Sequence, residues 1–261
     1  IEKLPNKQQL SRYLLLAESA LGRRDYPTAA QNLEAAAKIN SNLSRLVRLQ
    51  LRYAFDHSDA ADVLAKAEKL VKAGAINDYE AEQYQNWAYR RLLSEVTDAG
   101  RLKACLKQIP ENVKSGELCV AIAEKYERLG LYADAVKWVK THYPQTRQPE
   151  LLEAFVESVR FLSEREQQKA IDLADSWLQE QPDNAPLLMY LGQLAYGRKL
   201  WGKAQGYLEA SIALQPSVSA HLVLARVFDE TDQPQKAQEQ RNLVLESVAE
   251  EEHPVALPQP N

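Results

Sequence analysis

Along this chain, stretches in which apolar residues recur every three or four positions alternate with short breaks rich in Gly, Asp, Ser and Pro. That period marks amphipathic helices, and breaks so short force successive helices to run antiparallel. The clearest case is residues 187 to 216, where Leu188, Leu191, Gly192 and Ala195 recur at i, i+3, i+4 and i+7 on one face of a first helix. Ala204, Leu208 and Ser211 line a second helix, which Pro216 stops. Small residues at Gly192 and Ala204 predict the point at which the two helices approach most closely.

The unit recurs. Ala204 has counterparts in Ala170 and Ala135 upstream and in Ala237 downstream, at separations of 34, 35 and 33 residues, and Pro182 stands 34 residues before Pro216. Ala29, Ala61 and Gly100 take the same role nearer the start, with Ala17, Leu49 and Ala88 as their small partners on first helices. Turns are predicted at 22–27, 56–59, 97–100, 129–132, 162–166, 197–201 and 229–234, several of them opening on good helix caps. About seven hairpins result. The longer step of 39 residues from Ala61 to Gly100 predicts a joint near residues 72 to 78, dividing the chain into hairpins over 1–78, further hairpins over 79–251 and a tail, 252–261. The closing run EEEHPVALPQPN carries three carboxylates and three prolines and reads as a solvated segment.

The layout of residues 187–216 resembles the tetratricopeptide repeat: a large residue, then Leu-Gly, then small positions and a closing Pro, with Leu188 in place of the usual Trp and Ala195 in place of the usual Tyr. The expected fold is therefore all-α, a right-handed superhelical array of tetratricopeptide-like (TPR-like) hairpins. Composition agrees, since 45% apolar and 26% charged residues with only nine glycines is helix-forming material able to bury a core.

Charge changes the picture slightly. Residues 1 to 130 carry 20 Lys/Arg against 17 Asp/Glu, and residues 131 to 261 carry 12 against 19, a gradient from +3 to −7. No dense basic patch interleaved with aromatics appears, so nucleic acid is not an expected partner. Arg45, Arg48 and Arg52, at i, i+3 and i+7, form a basic stripe that could meet carboxylates or lipid phosphates.

Catalytic machinery is not visible. Of the four histidines, His57 falls in a turn, His142 and His221 at packing positions and His253 in the tail, with no Ser-His-Asp or Cys-His pattern and no GxGxxG or GxxxxGK[ST]. The expectation is a non-enzyme without metal or resident cofactor. His57 and the His142-Tyr143 pair are the suggestive haem ligands in the sequence, which leaves a haem or porphyrin carrier as an alternative. Cys105 and Cys119 lack the spacing of a zinc site or a disulfide framework and read as packed thiols. A hairpin stack leaves a groove lined by first helices, and in phase with the repeat the partner-binding candidates are Gln50, Tyr53, Gln85, Tyr89, Glu124, Arg128, Met189, Gln193, Tyr196 and Arg226.

Several stretches resemble the bacterial HemY-type tetratricopeptide proteins associated with late protohaem biosynthesis: YLLLAESALGRRDYPTAAQNLEAAAK (13 to 38), VRLQL (47 to 51), VAIAEKYERLGLYADA (120 to 135), and the last two repeats from Leu191-Gly192 through Lys236-Ala237-Gln238. The resemblance implies a scaffold that organises or regulates enzymes of the terminal porphyrin steps. It also implies a parent protein held in the inner membrane by two N-terminal hydrophobic helices, with the repeat domain cytoplasmic; the start at Ile1 fits an excised fragment, and no run of eighteen apolar residues occurs. A general adaptor in envelope or secretion assembly is the other expected reading.

Overall fold

A computed structural model describes residues 5–114 and 116–252. Fourteen α-helices and no strand are found among them, so the fold class is all-α and TPR-like. The chain divides into two compact units, the first ending at Ile122 and the second beginning at Ala123. The first holds α1 (Asn6–Gly22), α2 (Tyr26–Ile39), α3 (Ser44–Asp56), α4 (Ala60–Lys72), α5 (Asp78–Ser94) and α6 (Ala99–Gln108), followed by a single 3-10 turn, Glu111–Val113. The division falls within α7 (Gly116–Arg128). The second unit continues with α8 (Tyr132–Thr146), α9 (Pro149–Val159), α10 (Glu164–Glu180), α11 (Ala185–Gly197), α12 (Trp201–Leu214), α13 (Val218–Glu230) and α14 (Pro234–Glu252). Each of the seven predicted turns coincides with a break between consecutive helices, and α1–α2, α3–α4, α11–α12 and α13–α14 pack as hairpins.

One turn recurs. Arg24, Ser58, Gly130, Lys199 and Asp232 each sit at a φ of +55 to +70°, and the residue after each donates its backbone N–H to the carbonyl five positions earlier. Asp25 N reaches Ala20 O at 2.9 Å, Asp59 N reaches Ala54 O at 2.9 Å and Leu200 N reaches Ala195 O at 2.9 Å. This left-handed helix stop satisfies the orphan carbonyls of the first helix. The following helix is then capped at once: the carboxylates of Asp25 and Asp59 accept from the N–H groups of Thr28 and Asp62. Hydrogen bonds from the Thr28 side chain and, second, from its backbone N–H hold the Asp25 carboxyl below its ordinary range.

Burial corrects the small-residue positions nearer the start. Ala29, Ala135, Ala204 and Ala237 are fully buried, each five residues beyond the left-handed residue. In α4 that place belongs to Val63, which is buried, while Ala61 is exposed. In α6 Leu102 is buried and Gly100 exposed. The partner on α3 is Leu51 rather than Leu49, since Leu51, like Ala17, Gly192 and Ala225, lies seven residues before the left-handed residue. Branched side chains are tolerated there where the opposite helix stands further off, so size alone misplaced the repeat. Ala170 is buried as expected, and α10, at 17 residues against 14 in α12, begins a turn early behind the Ser163–Glu166 capping box.

The segment 72–78 is an ordered turn inside the first unit. Ala75 N donates to Leu70 O, Asn77 caps α5 by accepting from Glu80 N at 2.8 Å, and Ile76 packs into the core. The longer step here matches α5, which has 17 residues against 13 in α3. Core packing passes through α3, whose Leu46 and Leu49 join the α1–α2 cluster while Val47, Leu51 and Ala54 join that of α4 and α5. Of the tail, Glu252 ends α14 and 253–261 lie outside the described residues.

The tightest approach is at Gly192, where a Cβ would lie 2.5 Å from Leu208 Cγ. Gly192→Ala is expected to lower stability by about 1–2 kcal/mol, the clash outweighing the better helix propensity, with Gly192→Val worse still; urea midpoints measure this, and an unchanged Gly192→Ala midpoint would refute the close approach. At the left-handed turns the opposite trend is expected. Arg24→Gly and Lys199→Gly each raise stability by roughly 0.5–1 kcal/mol by relieving an L-residue at positive φ, and Gly130→Ala lowers it by about 1 kcal/mol in the same assay.

Candidate functional site

In α3 and α11, counting back from the left-handed residue also identifies the side left open by hairpin packing. Positions three, six, nine and ten residues before it are Phe55, Arg52, Leu49 and Arg48 in α3, and Tyr196, Gln193, Tyr190 and Met189 in α11. In the first unit this face forms a cleft of about 490 Å³. Its floor is Leu49, Leu51, Leu70 and Ile76, its aromatic wall is Phe55 and Tyr84, and its rim is the arginine stripe with Glu18 and Glu80. Phe55 lies against Trp87 at 4.4 Å between ring centroids and edge-on to Tyr84 at 6.5 Å, so its position is fixed although 39% of it remains exposed.

The three arginines differ in how they are held. Arg45 Nη2 donates to Glu18 Oε2 of α1 at 2.7 Å. Arg48 pairs with Glu80 of α5 at 3.5 Å and also donates to the backbone carbonyl of Ala75. These contacts tie α3 to its neighbours on both sides; exposed as they are, each contributes about 0–1 kcal/mol, so their effect is chiefly to orient the guanidinium groups. Arg52 has no ion-pair partner among the described residues and lines the same cleft.

Other residues expected in the groove are divided by the structure. Tyr89 is buried and donates to Gln108 O at 3.3 Å, a packing role rather than a groove position. Tyr53 packs at the edge of the first core, its ring stacked on His57 at 4.1 Å and edge-on to Tyr26. Gln50 is half-buried at the register position that Leu191 fills in α11, and Gln85 lines a separate hollow with Asp78, Glu82 and Asn112. Met189 lines a second-unit cleft of about 240 Å³ with Tyr190, Pro149 and Pro186, and it accepts from Gln193 Nε2. Gln193 lines a smaller hollow with Arg160 and Arg198. Tyr196 leans on Trp201, Glu124 pairs with Arg128 at 3.1 Å, and Arg226 is exposed. These two sets belong to different units.

The second unit's open face is acidic. Glu150, Glu153 and Glu157 run along α9, and together with desolvation, which is the larger cause, they push the Tyr190 hydroxyl up to about 12. Burial, followed by Glu157 and Glu124, raises the Glu127 carboxyl. Sequence reasoning missed this ridge, along with Phe55, Tyr84 and Tyr190, because it took phase from the small residues instead of the turns.

For the histidines, His57 Nδ1 lies 2.8 Å from Tyr53 O, His142 Nδ1 lies 2.8 Å from Trp138 O with its ring stacked on the indole, and His221 Nδ1 lies 2.7 Å from Gln240 Oε1. His253 lies outside the described residues. No group of three His, Cys, Asp or Glu able to hold a metal ion occurs among the described residues. Cys119 is buried and Cys105 partly so. No helix among the described residues is long and apolar enough to cross a membrane.

No protein-family model matches the chain, and no curated protein does. Among solved structures it is similar to the crystal structure of MamA protein, with 16% identity over 77% of this chain and 99% of that one and a TM-score of 0.42. It is similar too to the APC/C hetero-tetramer Cut9-Hcn1, with 16% identity, 92% and 46% coverage and a TM-score of 0.45. A human IFIT1 dimer with m7Gppp-AAAA matches at 18% identity, 88% and 58% coverage and a TM-score of 0.45. Superpositions this loose leave the fold assignment resting on the helix pairing and recurring turn described above.

Tyr190 gives the acidic face a measurable signature. A phenol whose folded pKa is raised contributes stability in full below the unfolded value near 10, and that contribution is lost as pH rises through about 12. Tyr190→Phe is therefore expected to flatten the fall in urea midpoint between pH 10 and 12; a slope identical to the parent's would count against the half-buried phenol.

Proposed function

We propose that this chain is a protein-interaction scaffold, and that it is the repeat domain of a HemY-type protein that holds enzymes of late haem biosynthesis. The observation that carries the scaffold reading is the α3 cleft, an apolar and aromatic hollow whose charged rim is held in place from both neighbouring first helices. Rigid aromatics beside an arginine are the side chains that supply most of the binding energy in protein interfaces. A volume of about 490 Å³ suits one or two side chains of a partner rather than a whole helix.

The same cleft would serve a general adaptor of envelope or secretion assembly equally well. What turns the reading toward the haem pathway is the resemblance carried by residues 13–38, 47–51 and 120–135 and by the last two repeats. In that reading the parent protein is anchored in the bacterial inner membrane and presents these hairpins to the cytoplasm, where the substrates' enzymes work.

Surface-immobilised chain is expected to bind at least one purified enzyme of the terminal porphyrin steps saturably, with Arg48→Glu/Arg52→Glu weakening it about tenfold. Binding confined to envelope or secretion proteins would transfer the assignment to the adaptor reading. Binding that ignores the charge reversal would remove the α3 cleft from it.

A further inference from the structure

A small hollow of the second unit, about 90 Å³ and lined by residues of α9, α10 and α11, includes an arginine whose hydrogen bonding is incomplete. Arg198 closes α11, its backbone N–H donating to Leu194 O, and only 25% of its side chain is exposed. Its Nη1 stands 3.8 Å from the exposed Glu164 carboxylate, too far for a hydrogen bond. Its Nε is buried and has no acceptor among the described residues. A buried N–H of a charged group is costly to leave unpaired, so this one calls for an oxygen that those residues do not supply. Arg160, at the end of α9, lines the same hollow. Gln167 of α10 holds its main chain, Nε2 donating to Arg160 O and Leu162 O. Arg160 Nη1 donates to Glu157 Oε2 at 2.8 Å, which leaves its other N–H groups for a second acceptor. Val159, Ile171 and Leu194, all buried, give the hollow an aliphatic lining.

We propose that this hollow receives one acidic side chain of a protein partner, its carboxylate accepting from the Nε and Nη2 edge of Arg198 and from Arg160, and its methylenes resting on Val159 and Leu194. That edge of a guanidinium presents two parallel donors at the spacing of carboxylate oxygens, and it is the edge that Glu164 leaves unused. Size supports a single side chain: ligands of drug size need roughly 300 Å³ or more. The acidic ridge does not oppose the anion here. Glu150 and Glu153 stand about three and two turns before Arg160 along α9, and Glu157, the nearest, is already paired with it. The site depends neither on the α3 cleft nor on the haem-pathway reading. A phosphate would satisfy the same donors but carries nothing for the aliphatic lining.

The test titrates the isotope-labelled full chain with N-acetylglutamate α-amide, a single glutamate side chain without neighbours, at constant ionic strength, and follows the arginine Nε–H signals by nuclear magnetic resonance. The Arg198 Nε–H signal is expected to move saturably, with affinity about tenfold weaker in Arg160→Gln. Arg198→Lys keeps the charge but not the fork, and is expected to lose the binding, followed there at the Gln167 side-chain amide. Inorganic phosphate is expected to bind several-fold more weakly than the glutamate probe. Backbone amide spectra verify that both variants remain folded. No saturable movement, an affinity unchanged in folded Arg160→Gln, or full binding by folded Arg198→Lys would overturn the proposal. Phosphate bound as tightly as the glutamate probe would overturn it too, by showing an anion site that ignores the aliphatic lining.

Discussion

Everything in this fold hangs on the left-handed stop that ends five of the first helices. A backbone N–H closing on a carbonyl five residues back fixes where a first helix ends, and at two of the five stops the next residue, Asp25 or Asp59, caps the following helix at once. The chain then has no freedom to choose which faces meet. Once Ser58, Gly130, Lys199 and Asp232 are set, residues four, seven, eight, eleven and twelve positions earlier are buried or half-buried, while in α1 the same count from Arg24 leaves Leu16 and Arg12 exposed and Leu14 and Leu21 buried. Only one of the five is glycine, so the turn is imposed on residues that disfavour it. Packing on both sides of each hairpin outweighs about 1–2 kcal/mol of backbone strain.

This explains which parts of the fold were legible. Helix number and turn positions follow from local chemistry, the period of apolar residues and the cluster of Asp, Gly and Ser between them, and both were readable. Phase was legible where a small residue is sterically obligatory, as at Gly192 against Leu208. It was lost at Ala61 and Gly100, because alanine and glycine are also ordinary residues of an exposed first turn, while Val63 and Leu102 do the packing. Leu49 and Leu51 show the same ambiguity at closer range: two leucines two residues apart point to opposite sides, and the sequence has no mark saying which faces the partner helix.

The candidate surfaces were legible only in part, for a related reason. The arginine stripe was visible as an i, i+3, i+7 pattern, and the structure adds what holds it: Glu18 and Glu80, 27 and 32 residues away in the chain. A tyrosine in phase with a groove is indistinguishable in sequence from one that caps a core. Tyr89 went inward because a backbone carbonyl, Gln108 O, stood where its hydroxyl could reach it, whereas Tyr190 stayed on the open side beside three glutamates.

Placing charge on these open faces has an energetic logic. Arg45 and Arg48 are half-exposed and paired across neighbouring helices, so each contributes little to stability, and their removal from water on binding would be partly compensated in advance by carboxylates already in place. Arg52 lacks that compensation. Burying it against an apolar partner would leave an unpaired charge, a penalty of several kcal/mol, while an acidic partner would gain from the same burial. The cleft therefore discriminates less through what its floor attracts, since many aliphatic side chains fit, than through what its rim refuses. On the α9 side, Glu150 and Glu153 apply the opposite sign by the same rule, rejecting anions and leaving cations as the compatible partners.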